Sequence, residues 1–65
     1  MIGALTRSRW AEKARFLAGH VDRLSAWEAG LLASVVGRLR RGSDLTMQQS
    51  ISLTETFDRV QREVG

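Results

Sequence analysis

Sixty-five residues make one domain at most, spanning 1–65, at a size where a single core is marginal without a disulfide, a metal or a partner. The chain has no cysteine and one histidine, which excludes a disulfide framework, thiolate zinc sites and a histidine cluster, so no metal and no cofactor is implied. The formal charge of +3 is unevenly placed: residues 1–42 hold eight basic and three acidic side chains, and residues 43–65 two basic and four acidic. Stability must therefore come from helix packing, within one chain or between chains. With no proline and 43% hydrophobic residues, the composition is that of a folded helical protein.

The expected fold is all-α, with three helices over about 6–24, 26–41 and 47–64. The second and third form an antiparallel hairpin, and the first packs across it. Residues 1 to 5 read as a frayed start. From Thr6 onward, Trp10, Ala14, Leu17, Val21 and Leu24 recur at spacings of four and three, which draws one apolar stripe along a helix that Phe16 widens. Gly19 lies off that stripe and costs about 1 kcal/mol in a helix interior. A break near Gly19 and His20 is the alternative to the preferred continuation through Leu24. Arg9 and Lys13 sit four apart with no carboxylate between them, an arrangement that an anion would relieve and that a solvated face also explains.

The second helix opens on Ser25 and Glu28, spaced as a capping box in which each side chain satisfies a backbone N–H of the first turn. Trp27, Leu31, Leu32, Val35, Val36 and Leu39 form a wide apolar sector, and Ala26, Gly30, Ala33 and Gly37 line up beside it. A helix apolar on nearly every side is buried from more than one direction. This one is expected at the centre of the fold and, through Trp27, Gly30, Leu31, Ala33 and Gly37, at a homo-oligomer interface. The nine uncharged residues between Glu28 and Arg38 fall far short of the roughly 20 a membrane span needs.

Arg38, Arg40 and Arg41 crowd the last turn before Gly42, a position suited to a left-handed cap. One cation there suffices to complement the helix dipole; three also make a compact anion site. Nine of the ten basic residues are arginine, whose planar fork suits phosphate and carboxylate. Arg7, Arg9, Lys13, Arg15, Arg38, Arg40 and Arg41 are thus the candidate nucleic-acid contacts.

A short connection, Gly42 to Leu45, should fold the third helix back on the second. Thr46 with Gln49 repeats the capping box, and Leu45 can staple its start. Ser50, Leu53, Phe57, Val60 and Val64 follow a 3,4,3,4 seam. Met47, Ile51 and Thr54 adjoin it, and Met47 and Phe57 are expected in the core. Glu55, Asp58, Arg59, Arg62 and Glu63 mark the outer face.

His20, Asp22 and Ser25 lie close together, but a Ser-His-acid site also needs an oriented base and an oxyanion hole in a cleft, and Ser25 is better used as a cap, so no enzyme is expected. A helix-turn-helix would present Thr46, Gln48, Gln49 and Ser52 to the major groove. The length and apolarity of the second helix and the acidic balance of residues 43–65 oppose it. Backbone binding through arginine, by counterion release, needs only positive charge in the right place. The alternative is a protein-interaction adaptor that uses the second helix. No signal core or membrane span points away from the cytoplasm.

Leu24, Ser25, Trp27 and Glu28, then Leu31, Leu32 and Ser34, Arg38, Leu39, Arg41 and Gly42, Leu45, Thr46 and Gln49, and Phe57, Arg59 and Val60 form a pattern over about 40 residues. That pattern resembles an uncharacterised helical module of small phage, prophage and proteobacterial proteins. The resemblance implies an accessory module in phage-like DNA handling or its regulation, with no activity to carry over.

Overall fold

In a computed structural model, which describes residues 3–65, the chain folds as three packed helices with no strands among those residues. Helix α1 spans Ala4–Ala18, α2 Ala26–Arg40 and α3 Met47–Val64, with a short 3-10 turn at Val21–Arg23. All three pairs of helices are in contact, and α1 packs across both α2 and α3. The expected all-α hairpin with a crossing first helix is the observed architecture. Of the frayed start expected over residues 1 to 5, Met1 and Ile2 lie outside the described residues, and the helix is already formed at Ala4.

The first helix does not continue to Leu24. It ends at Ala18, where the Gly19 N–H donates back to the carbonyls of Arg15 and Phe16 and the His20 N–H to that of Leu17. The His20 ring donates from Nδ1 to the Phe16 carbonyl at 2.8 Å and stacks on the Phe16 ring. These bonds satisfy carbonyls that a helix end leaves free, so stopping here costs little and releases the chain to turn towards the Ser25 cap. Val21, expected on the buried stripe, is 53% exposed, whereas Leu24 still packs against the core.

Both capping boxes form. Ser25 and Glu28 exchange bonds of 2.9 and 3.1 Å, and Thr46 and Gln49 exchange two of 3.1 Å. At the end of α2, Gly42 takes φ +77°, its N–H donating to Leu39 O, while the Ser43 N–H donates to Arg38 O. This pair of bonds is a Schellman cap, and it reverses the chain within a few residues.

Trp10, Ala14 and Leu17 from α1, Leu32 and Val35 from α2, Leu45, and Leu53 and Val60 from α3 make the core, ringed by Phe16, Leu24, Leu31, Val36, Leu39 and Phe57. The Phe16 and Phe57 rings meet edge to face at 5.1 Å. Helix α2 is not enclosed as its apolarity suggested. Only Leu32 and Val35 are buried, because its two neighbours cover one side of it, and Ala26, Trp27, Gly30 and Ala33 face solvent.

Helix α3 is rotated from the expected seam. Leu53 and Val60 are buried and Phe57 is half-buried, but Ser52 and Thr56 also turn inward, and Val64 is exposed. Ser52 and Thr56 face α2 across a groove shared with Trp27 and Glu28, and no buried side-chain polar atom among the described residues lacks a partner. The same rotation leaves Ile51 47% exposed and Met47, expected in the core, 79% exposed. No helix of the described residues is long and apolar enough to cross a membrane.

Candidate nucleic-acid interface

The seven candidate cations divide by what already holds them. Arg7 is committed to the fold: its guanidinium donates to Asp44 Oδ1 at 2.7 Å and to the Ser43 carbonyl at 3.1 Å, with a longer reach of 3.5 Å to the Leu39 carbonyl. It pins α1 to the turn between α2 and α3. Lys13 donates to Thr54 Oγ1 at 3.0 Å and lies 5.8 Å from the centre of the Phe57 ring, so it is held against α3 and no anion is its partner among the described residues. Arg38 donates to the Asp44 carbonyl at 3.3 Å. Arg9, Arg15, Arg40 and Arg41 make no hydrogen bond or ion pair from their side chains among the described residues.

Two of these four line one groove. Arg15 from α1 and Arg40 from α2 line an open groove of about 390 Å³ whose floor is Ala11, Ala14, Ala18, Val36 and Leu39. The alanines make the groove, since their methyl groups leave a gap between the two helix cylinders. Arg9 lies six residues before Arg15, which turns it about 120° away around the helix and towards α3. Arg41, next to Arg40, folds along α2 with a guanidinium nitrogen 3.4 Å from where a side chain on Gly37 would begin. The last turn of α2 thus fans its arginines three ways: Arg38 to the turn, Arg40 to the groove and Arg41 to the solvent face.

The polar residues that a major-groove reader would need are occupied. Gln49 accepts the Thr46 N–H and donates to Ser34 Oγ at 3.1 Å, Ser52 is buried, and Gln48 donates to Ser52 Oγ at 3.4 Å. Ser25 is held as a cap and His20 by Phe16. No group of three or more His, Asp or Glu side chains among the described residues is arranged to hold a metal ion.

The strongest ion-pair network lies elsewhere, around a residue the sequence placed only on an outer face. Arg59 donates to Glu28 Oε1 at 2.6 Å, to Glu63 Oε2 at 2.7 Å and to the Arg23 carbonyl at 3.1 Å. The bond from the Ser25 backbone N–H is the largest influence on Glu28 and, with the Arg59 charge and hydrogen bond, holds its carboxyl below the ordinary value of 4.5 against the opposing effect of burial. Arg59 is raised in turn, chiefly by its hydrogen bond to Glu63. The Arg59 to Glu63 spacing of four was legible in sequence; the link to Glu28 across the hairpin was not.

Of the residues expected at an interface, Trp27, Gly30 and Ala33 are exposed and Gly37 is half-buried on the solvent face of α2, whereas Leu31 packs against the core. Trp27 is 66% exposed and borders a second, shallower groove with Glu28, Ser52, Glu55, Thr56 and Arg59. Comparison with protein-family models, with curated proteins and with solved structures finds no match to this chain.

Proposed function

We propose that this chain is a non-enzymatic, self-associating helical module that binds nucleic-acid backbone, acting in the cytoplasm as an accessory or regulatory factor in phage-like DNA handling. The observation that carries the reading is the pair of unpartnered guanidinium groups, Arg15 and Arg40, on the two walls of the α1–α2 groove. Each could take a phosphate oxygen through its fork, with release of the counterions condensed on the strand. Arg9 and Arg41, on other faces, and the fold-bound Arg7, Lys13 and Arg38 contribute field without direct contact at the groove. The setting in DNA handling rests on the resemblance of residues 24–60 to the phage module.

Two phosphate contacts per protomer give a weak site, and self-association multiplies it. The test is binding to labelled double-stranded DNA of unrelated sequences, followed by fluorescence anisotropy across a salt series. One protomer's two contacts predict a log–log slope of about −2, and a dimer's four about −4. Failure to bind at low salt refutes the reading. Exposed Trp27 favours a second reading, a protein-interaction adaptor, in which the chain ignores DNA and holds one protein through the solvent face of α2.

A further inference from the structure

The solvent face of α2 carries features that the monomer does not explain. Trp27 is 66% exposed at its N-terminal end. Beside it, across the shallow groove on the α3 flank, Glu55 makes no hydrogen bond or ion pair among the described residues. Arg41, unpartnered as well, lies at the other end of the helix. Between them Gly30 sits in a helix interior, where glycine is unfavourable, yet a side chain there would meet nothing within 4 Å.

These positions are related by a two-fold operation. Placing a second copy of α2 antiparallel to the first sets Gly30 against Gly37 of the other copy, Ala33 against its own equivalent near the axis, and Trp27 with Glu55 against Arg41. Helical geometry puts Trp27 and Arg41 on the same flank of that contact, the flank towards α3, so the match forms twice in one dimer. A guanidinium would then lie between a carboxylate and an indole face, satisfying a cation and an anion that each chain leaves unpaired. Arg40 projects to the opposite flank, towards α1, and stays in its groove with Arg15.

We infer that the partner of this face is a second copy of the same chain, docked antiparallel through α2 with Arg41 of each protomer seated on Trp27 and Glu55 of the other. The inference rests on the self-association half of the proposed function and gives it a register. Gly30 is bare, and Gly37 becomes so when Arg41, which lies over it in the monomer, swings onto the partner, so the two backbones can approach closely at the contact.

The dimer constant is measured by sedimentation equilibrium for the wild-type chain, Glu55→Arg, Arg41→Glu and the two changes together, with circular dichroism confirming that each variant keeps its helices. Each single reversal is expected to weaken the dimer by about tenfold or more, and the double reversal to restore it. Because the chain has no cysteine, single introduced cysteines report the register. Ala33→Cys is expected to form a disulfide with itself, and Gly30→Cys with Gly37→Cys in a mixture but not alone. A dimer that ignores the charge reversals, or in which Gly30→Cys pairs with itself, overturns the antiparallel docking while leaving self-association standing. A chain that stays monomeric at high concentration overturns both, and DNA binding by the monomer would still be measurable.

Discussion

Replacing Arg7 by methionine separates structural from ligand-binding arginine, because the apolar stem is kept and the donors are lost. The ion pair with Asp44 is half exposed on the acid's side, so its loss costs about 0.5 kcal/mol. The charge-assisted bond to the Ser43 carbonyl is partly buried and is worth about 1.5 kcal/mol, and the 3.5 Å contact to Leu39 adds little. The expected loss is about 2 kcal/mol, which at roughly 4–8 °C per kcal/mol for a domain of this size lowers the melting temperature by roughly 8–16 °C. Asp44→Ala removes only the ion pair and should lower it by about 2–4 °C. Thermal unfolding by far-ultraviolet circular dichroism at matched concentration reads both. An Arg7→Met chain as stable as wild type, or an Asp44→Ala chain as unstable as Arg7→Met, would refute the assignment of Arg7 to the clamp between α1 and the turn.

Other perturbations test separate parts of the structure. Gly42→Ala forces a Cβ into the left-handed region at φ +77° and should cost about 1–2 kcal/mol in urea unfolding; a neutral result would mean α2 does not end in this cap. Leu53→Ala opens a cavity at a fully buried site and should cost about 2–5 kcal/mol, a large share of the stability of a domain this small, read as faster exchange of the core amides; unchanged exchange would contradict its place in the core. Glu28 has a folded pKa below its ordinary 4.5, so its contribution is complete above that value and is lost as pH falls through the folded one. Urea midpoints measured from about pH 6 down to about pH 3 should therefore fall for the wild type and fall less steeply for Glu28→Gln, and parallel profiles would contradict the pairing.

What could be read from the sequence is what is decided within a few residues. Ser25 with Glu28, Thr46 with Gln49, and Gly42 after a basic last turn each form bonds between near neighbours, and all three are present as expected. The end of α1 is not legible because the stripe through Val21 and Leu24 outweighs Gly19 in the pattern, whereas the fold uses Gly19 and His20 to stop the helix and turn towards α2. The rotation of α3 is hidden because its apolar residues alone draw a seam, and the small polar Ser52 and Thr56 that turn inward carry no hydrophobic signal.

The candidate site was legible as composition and not as geometry. Sequence clustering points to seven cations, but partners far along the chain decide which are free: Asp44 for Arg7, 37 residues away, and Thr54 for Lys13, 41 away. That Arg15 and Arg40 share one groove depends on how α1 crosses α2, which no local pattern encodes. The Arg59 bridge to Glu28, 31 residues apart, was missed for the same reason.

The most direct measurement is the salt dependence of DNA binding by the double variant Arg15→Ala with Arg40→Ala, set beside Arg9→Ala and the wild type. The double variant is expected to lose most of the affinity, with the slope of log affinity against log salt flattened by about 2 for a protomer, or about 4 for a dimer, while Arg9→Ala changes the slope by less than about 1. Equal losses in the two variants would mean that binding is spread over the whole basic surface. Unchanged binding in the double variant would remove the groove from the site.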